Sequence, residues 1–318
     1  MDLLKEYFPN IEKLINIAVP IIDYHCPIKY SPNQKYNNKY FFICLIDFFQ
    51  RHVCWRSYRG TEDFPISGKY LNSIHLKYCN NNVYEEIHKV VVKKYLSQGR
   101  EKKLKIQEID SSYVANKQGI HNLRDKPSDK DKEMKKKAKY VKNPTKYENN
   151  INDKKIQFNG HNGRKKYIKI SAITDSLGAA LGIGIVSGIR NDVSTVEETI
   201  EKIPIELNTL KNSKHNRYKQ TFLADSGYRS KKNITILENM GYTPIIAYNK
   251  RNTKNKEIIK KNSFTKKQKK IYKKRGIIES FFSWIKRFPV INQNYQKILT
   301  SYNGLLLLAA SVLISNKW

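Results

Sequence analysis

The spacing of apolar residues changes along the chain and predicts two regions of different architecture. In the first 97 residues the apolar positions follow helical spacing, over Tyr40–Phe49, Ile66–Cys79 and Val83–Leu96. Beyond residue 97, short runs rich in Ile, Val and Leu alternate with helical segments. Such alternation is typical of a sheet flanked by helices. We therefore predict an all-α N-terminal domain over residues 1–97 and an α/β domain over residues 98–318.

One predicted strand in the second region ends directly at an acidic residue. The apolar run Thr221–Ala224 is followed by Asp225, and Ser230–Met240 then has helical spacing. Gly241 is typical of the residue just after a helix, and Thr243–Tyr248 predicts the next strand. In a strand–helix–strand unit, side chains at the carboxyl ends of strands line the ligand crevice. Asp225 is therefore a candidate for the active site.

A second candidate acid lies earlier, in a segment that predicts the first strand of the α/β domain. The segment Lys105–Lys117 carries Asp110, with apolar residues on both sides of it along the strand. Glu108 is a rival, because residues two apart share one face of a strand. We choose Asp110, and chain position alone does not exclude Glu108.

Two further acids occur in patterns that favour structural roles. Asp175 lies between the β-rich runs Tyr167–Thr174 and Ala180–Ser187, where Asp and Gly are the expected residues of a hairpin turn. Asp192 precedes Val-Ser-Thr-Val-Glu-Glu, a pattern typical of a helix N-terminus.

The most specific pattern is the segment Tyr272–Lys286, which reads YKKRGIIESFFSWIK. On a single helix its signature residues, spaced by three, four and seven, share one face: Tyr272, Arg275, Glu279 and Lys286. The apolar residues between them fall on other faces and would anchor the helix in a core. The segment thus predicts one carboxylate held between cations on a rigid element, which suits an active site that handles phosphates.

This Y-x2-R-x3-E-x6-K spacing resembles the C-terminal catalytic helix of the DDE transposases of bacterial-type insertion sequences. The A-D-S-G-Y sequence around Asp225 and the D-S-S-Y-V sequence at Asp110 are similar to the other acidic motifs of that family. The resemblance covers nearly the whole chain. It implies a ribonuclease H-like mixed sheet flanked by helices, whose first strands are antiparallel and whose later strands are parallel.

The resemblance also implies the roles of particular residues. Asp110, Asp225 and Glu279 would be catalytic and would hold two Mg²⁺ ions, with Mn²⁺ as a plausible substitute. Hard cations of this kind prefer oxygen ligands, and a metal pair stabilises both ends of a phosphodiester displacement. The implied reaction is cleavage of a DNA strand at the transposon end, followed by transfer of the freed 3′-hydroxyl into target DNA. The implied DNA-binding residues are Tyr272, Lys273, Lys274, Arg275 and Lys286.

The charge of the chain agrees with a polyanionic partner. The net charge is +32, and residues 250–275 carry thirteen Lys or Arg and one acid just before the signature segment. We expect double-stranded DNA as the partner, both as terminal inverted repeats and as target, bound by a homodimer on paired ends.

Histidine and cysteine positions do not indicate a zinc site, because they show no ligand spacing. Unpaired cysteines in the first quarter of the chain fit reduced thiols in an intracellular protein: Cys26, Cys44, Cys54 and Cys79. The longest apolar run, Gly304–Ile314, is eleven residues long, too short to cross a membrane, and predicts a buried helix.

The N-terminal helices are similar to the helical domain that precedes the catalytic domain in these transposases. A helix-turn-helix-like reading of the terminal repeat is the implied role, and Ser67–Tyr78 is our choice for the helix that enters the groove. Trp55 is expected to anchor a core. Residues 120–160 are rich in Lys, Asn and Asp, which predicts a flexible polar insertion in the catalytic domain.

Two other functions compete with an active transposase. One is a transposase-derived DNA-binding protein that no longer catalyses the reaction. The other is a structure-specific nuclease of the same fold. The complete acidic set and the intact signature segment favour the active enzyme over the first, and the helical N-terminal domain argues mildly against the second.

Overall fold

The computed structural model describes residues 8–28, 36–52, 54–99, 104–116, 156–158, 166–186, 192–204, 220–249, 253–296 and 298–318. Its helices are α1 (Ile11–His25), α2 (Asn38–Arg51), α3 (Gly68–Asn80), α4 (Val83–Ser97), α5 (Val196–Ile200), α6 (Lys231–Asn239), α7 (Lys256–Lys261), α8 (Lys266–Tyr272), α9 (Gly276–Ile285), α10 (Pro289–Asn292) and α11 (Leu299–Ser315). Its strands are β1 (Ile106–Asn116), β2 (Ile156–Phe158), β3 (Lys166–Asp175), β4 (Ala180–Val186), β5 (Gln220–Ala224), β6 (Tyr242–Ile246) and β7 (Gln293–Asn294).

The strands form one mixed sheet with β1 near its centre. β4, β3 and β1 are antiparallel neighbours, whereas β1, β5 and β6 run parallel. The short strands β2 and β7 pair with β3 and β1 respectively. This order has the antiparallel first strands and the parallel later strands that were predicted.

One edge of β1 is only partly covered, and this opening positions the site. Residues 106–108 of β1 pair with β5, and residues 115–116 pair with β7. Between these two pairings the same edge of β1 faces the end of β5 and the helices that follow β6. Asp110 lies in this interval, where a crevice forms beside the carboxyl end of a parallel strand.

The N-terminal helices and the C-terminal helix share one hydrophobic core. α11 packs against α4 and reaches α1 and α3, and its residues from Leu305 to Ala310 are buried. A Cβ at Gly304 would lie 2.8 Å from the Cys79 sulfur, so only glycine allows this close approach. The buried helix predicted at Gly304–Ile314 is confirmed. The boundary at residue 97 stays a prediction, although the core crosses it.

The structure divides the signature segment, so the prediction of a single helix over Tyr272–Lys286 is wrong. α8 ends at Tyr272, the turn Lys273–Arg275 is a 3₁₀ turn, and α9 begins at Gly276. Backbone angles stay helical through this turn, with φ −56° and ψ −19° at Arg275. The turn is wound more tightly than an α-helix, yet Arg275 still lies next to both Tyr272 and Glu279.

Other local predictions are confirmed. Asp175 accepts hydrogen bonds from the backbone N–H groups of Leu177 and Ala179 at 2.9 Å each, and thereby builds the β3–β4 turn. Ser230 caps α6, and Gly241 follows that helix with φ +86°. Of the predicted insertion at 120–160, only the strand β2 falls among the described residues.

Candidate active site

Asp110 and Asp225 lie at the same level of two adjacent parallel strands. The pairing of β1 with β5 ends at Glu108 and Leu223, and Asp110 and Asp225 each lie two residues beyond that pair, near enough for the Asp225 carboxylate to raise the pKa of Asp110. Neighbouring strands are roughly 4.8 Å apart, and residues two apart along a strand face the same side. The two carboxylates predicted from distant parts of the sequence therefore converge on one face at the end of β5.

Arg275 connects the second and third predicted carboxylates. Its Nη2 atom lies 3.2 Å from Oε1 of Glu279, and its Nη1 atom lies 4.0 Å from Oδ2 of Asp225. The Asp225 and Glu279 side chains are 53% and 62% exposed, whereas that of Arg275 is 20% exposed. We call Asp110, Asp225, Arg275 and Glu279 the carboxylate edge.

The electrostatics of the carboxylate edge show like charges held together. Burial raises the pKa of Asp110 above its usual range, and the neighbouring carboxylates of Asp192 and Asp225 raise it further. The Ser111 backbone N–H, which donates to Asp110 at 2.8 Å, and the Arg275 guanidinium lower that pKa. A cation at this place would relieve the repulsion that raises the pKa.

Glu108 is buried beneath the carboxylate edge. Its Oε2 atom accepts a hydrogen bond from the backbone N–H of Ile278 at 3.2 Å, in the first turn of α9. Burial raises the pKa of Glu108 to about 7, while the Ile278 N–H and Arg275 oppose this rise. Glu108 thus contacts the helix that carries Glu279, whereas Asp110, two residues later, is partly exposed beside Asp225.

Lys286 lies just beyond α9 and is bonded to β1. Its Nζ atom donates to Oγ of Ser112 at 2.6 Å and to the Tyr113 carbonyl at 3.0 Å. Burial lowers the pKa of Lys286. An ammonium group has three N–H donors, so one remains for a further acceptor.

Tyr272 and the basic segment before α9 are attached to the same face of the sheet. Phe264, Ile271 and Tyr272 pack against the apolar cluster of Ile106, Leu223 and Ile245. The guanidinium of Arg275 lies 5.9 Å from the centre of the Tyr272 ring. Every lysine from Lys254 to Lys274 is exposed, including Lys273 and Lys274. A strongly positive surface therefore adjoins the carboxylate edge.

Asp192 contacts β1 through Ser111, whose side chain lies on the opposite face of the strand from Asp110. Its Oδ1 atom accepts a hydrogen bond from Oγ of Ser111 at 2.8 Å and lies 2.5 Å from Nζ of the buried Lys169. The Asp192 carboxylate is thus engaged by a hydroxyl and a lysine, which differs from the helix N-terminal role predicted for it, since Thr195 is the N-cap of α5.

The carboxylate edge fits a hard divalent cation in its chemistry. Its donors are carboxylate oxygens, which Mg²⁺ prefers, and its like charges converge at Asp110. As the side chains stand, no three carboxylate, imidazole or thiol groups among the described residues are grouped closely enough to hold a metal ion. Glu279 faces Arg275, which neutralises it in this arrangement.

Sequence reasoning missed two contacts that link β1 to α9. It treated Glu108 only as a rival catalytic acid, and it did not consider Ser112. The available signal was the alternation along β1, which places Glu108, Asp110 and Ser112 on one face. The four cysteines are free, as expected. Across the described ranges, no helix is long and apolar enough to cross a membrane.

Comparison with known proteins gives a family for this chain. The transposase DDE domain family matches residues 138–314, more than half of the chain. That match contains Asp225 and Glu279 and begins after Asp110.

The crystal structure of a pre-cleavage Mos1 transpososome is also similar, over 92% of this chain and 82% of that chain. The identity is 11% and the TM-score 0.24, too low to support a conclusion about fold or function. No curated protein matches the chain significantly. From the family match over residues 138–314, the chain belongs to the transposase DDE domain family, whose members are DNA-binding polynucleotidyl transferases that typically use divalent metal ions.

Proposed function

We propose that this protein is an active transposase that cleaves a DNA strand at transposon ends and transfers the freed end into target DNA. The observation that carries the proposal is the convergence of Asp110 and Asp225 at one level of adjacent parallel strands, with Glu279 joined to Asp225 through Arg275. The family match does not reach Asp110, so its role rests on this register.

In this proposal Asp110, Asp225 and Glu279 hold two Mg²⁺ ions. When bound, such ions stabilise charge on the attacking and leaving oxygens of the phosphodiester. Glu279 is the mobile ligand, because its exposed side chain can turn from Arg275 toward the aspartates. Asp110 is held more firmly, since the Ser111 N–H fixes one of its oxygens.

In the same proposal Arg275 has two partners in turn, first the carboxylates of Asp225 and Glu279 and then a DNA phosphate. With a cation bound, Asp225 and Glu279 would no longer need Arg275 as their counter-charge, and the guanidinium would be able to bind a phosphate of the transposon end. Its Nη1 atom is buried and makes no hydrogen bond within the part of the chain that the structure describes, so a donor is available. A guanidinium binds phosphate well because its N–H groups match two oxygens at once.

The remaining DNA contacts come from the surfaces around the carboxylate edge. Lys286 offers its third N–H to the cleaved end, and Lys273 and Lys274 contact the backbone beside it. Tyr272 positions Arg275 by packing beneath it. The exposed face of α3, which includes Lys69, Tyr70, Ser73 and Lys77, reads the terminal repeat. The protein acts as a homodimer on paired ends.

The test is a cleavage assay on a duplex that carries the DNA flanking the gene. Purified protein is incubated with Mg²⁺, with Mn²⁺ and with EDTA, and the nicked position is mapped on a sequencing gel. We expect metal-dependent nicking at one defined position, lost in Asp225→Ala. Glu238→Ala, which removes an exposed acid from α6, is the matched control and should cleave normally.

Different results separate the competing functions. Tight binding of the flanking DNA without cleavage in either metal would indicate a DNA-binding protein that does not catalyse. Cleavage of branched DNA irrespective of sequence would indicate a structure-specific nuclease. Cleavage retained in Asp225→Ala would contradict the site assignment itself.

A further inference from the structure

Three alternate residues of β1 share the face that α9 covers, and the outer two contact opposite ends of that helix region. Glu108 accepts the Ile278 N–H near the start of α9, and Ser112 accepts the Lys286 ammonium just beyond its end. Asp110 lies between the two. Glu279 directly follows Ile278 in the chain.

The distance between the two contacts is similar along β1 and along α9. From Glu108 to Ser112 a strand advances by roughly 13 Å, at about 3.3 Å per residue. From Ile278 to Lys286 a helix advances by about 12 Å, at 1.5 Å per residue. α9 therefore runs alongside β1 in the same direction, and polar contacts hold it at both ends.

The contact at Glu108 lies where an apolar residue would be expected. Glu108 is fully buried, and Ile106 and Val114 on the same face are also buried. Burying a carboxylate is costly unless it is hydrogen-bonded. Its Oε1 atom has no hydrogen-bond partner within the described ranges, so the Ile278 N–H is the contact that explains its place.

The start of α9 needs an acceptor of this kind. The first N–H groups of a helix lack partners within it, and a side chain at the N-cap usually accepts one of them. The N-cap of α9 is Arg275, which cannot accept and makes no such bond. Its guanidinium points to the carboxylates of Asp225 and Glu279 instead. Glu108 supplies the missing acceptor from the neighbouring strand.

We propose that Glu108 and Ser112 are positioning residues that fasten α9 to β1 at both ends and thereby fix the distance between Asp110 and Glu279. The proposal deepens the proposed function and rests on it for the catalytic consequence. The fastening itself is independent of any activity. Without these two contacts, α9 would shift along β1. Glu279 would then no longer reach the two metal ions that Asp110 and Asp225 are proposed to hold.

The fastening is tested by hydrogen exchange on the full-length protein without metal or DNA. Glu108→Ala should speed exchange of the Ile278 amide by about tenfold or more, because it removes the hydrogen bond that protects this N–H. Glu108→Gln should restore slow exchange, because its side-chain carbonyl can accept the same N–H. Unchanged exchange in Glu108→Ala would overturn the proposal.

The catalytic consequence is tested by the Mg²⁺ concentration that gives half-maximal nicking. Glu108→Ala should raise it several-fold while DNA affinity stays constant, and Glu108→Gln should lie near the wild type. Ser112→Ala should give a smaller rise than Glu108→Ala. Ser283→Ala, an exposed serine of α9, is its matched control and should change nothing. Equal effects of Ser112→Ala and Ser283→Ala would contradict a role for Ser112.

The two tests distinguish the fastening from the function. If wild-type protein does not cleave in any metal, the proposed function fails and the hydrogen-exchange result still decides the fastening. If Glu108→Gln restores slow exchange of the Ile278 amide but needs as much Mg²⁺ for nicking as Glu108→Ala, the negative charge rather than the fastening governs activity, and the catalytic consequence is refuted.

Discussion

The helical core and the carboxylate edge differ in the burial and charge of their polar groups. The helical core consists of the buried side chains of α1–α4 and α11, and its histidines are buried and neutral. His75 is fully buried and bonded to the Tyr84 hydroxyl at 2.7 Å, and burial lowers its pKa to about 4. At the carboxylate edge, several acids lie close together and Arg275 is their shared counter-charge.

Because of this difference, we expect the helical core to determine the stability of the fold and the carboxylate edge to determine its catalytic activity. In the helical core, rings stack closely, with the centres of Phe48 and Trp55 3.7 Å apart, and the Trp55 N–H donates to Gln296. Trp55 therefore anchors packing, as predicted. At the carboxylate edge, exposed acids contribute little packing and remain free to change partners. Sites that bind cations commonly keep such unfavourable charge, which the ligand then relieves.

The largest expected effect is the loss of catalysis without loss of stability. Glu279→Ala should lower nicking by about a thousandfold or more, equivalent to about 4 kcal/mol of barrier, because it removes a metal ligand. Its free energy of unfolding should change by less than about 0.5 kcal/mol, since the side chain is exposed. Single-turnover nicking and chemical denaturation measure the two. A large loss of stability in Glu279→Ala would contradict the view that the carboxylate edge contributes little to the stability of the fold.

Phe48→Ala should have the converse effect. The side chain is fully buried and stacks on Trp55 and against Tyr58, so its removal should cost roughly 3–5 kcal/mol of unfolding free energy. Nicking per folded molecule should be unchanged, because the ring lies outside the carboxylate edge. Urea denaturation combined with active-site titration measures both quantities. Reduced nicking by fully folded protein would link the two regions.

Acid should weaken the helical core through its neutral histidines. Burial lowers the pKa of both His75 and His88 to about 4, from an ordinary value of 6.5. Both folded-state pKa values are depressed, so the unfolded state binds protons first and stability falls as pH drops from about 6.5 to 4. Between pH 6.5 and pH 4, each histidine should lower the free energy of unfolding by about 3 kcal/mol.

Substitution separates the two histidines. His75→Gln keeps a polar side chain that does not titrate, so the stability lost between pH 6.5 and pH 4 should shrink by that histidine's share. His88→Gln should do the same for its own share. Thermal unfolding at a series of pH values measures this. An acid dependence identical in both variants and the wild type would show that neither histidine is responsible.

The smallest effect is expected from the basic surface beside the carboxylate edge. Replacing Lys273 and Lys274 together by alanine should leave the fold intact and weaken DNA binding similarly for all sequences. The slope of log affinity against log salt should become shallower by roughly 2 if each lysine contacts one phosphate. Binding isotherms at several salt concentrations measure the slope. An unchanged slope would remove both lysines from the interface.

Local features of the sequence predicted much of the fold. The strand ending at Asp225, the helix over Ser230–Met240, the glycine that follows it and the turn at Asp175 were each predicted from neighbouring residues. These features depend on hydrogen bonds and steric limits within a few residues. The acidic residues were likewise chosen from strand ends and from a family resemblance, and the catalytic roles of Asp110, Asp225 and Glu279 stay predictions.

Features that depend on distant contacts were predicted less well. The break at Lys273–Arg275 was not visible, because a regular spacing of residues does not distinguish a 3₁₀ turn from an α-helix. The phosphate contact inferred for Lys286 stays a prediction, and its bonds to Ser112 and Tyr113 were not predicted. The core that joins α11 to the N-terminal helices also crosses the predicted domain boundary.

The sequence by itself determined the order of helices and strands, the positive surface and a short set of candidate acids. These follow from periodicity, turn chemistry and charge, which act over a few residues. Only the tertiary structure decided that Asp110 lies near Asp225, that Arg275 joins Asp225 to Glu279, and that Glu108 caps α9 from a neighbouring strand. Strand pairing and helix packing bring together residues that are 50 to 170 positions apart in the chain, and the spacing of neighbouring residues does not encode such contacts.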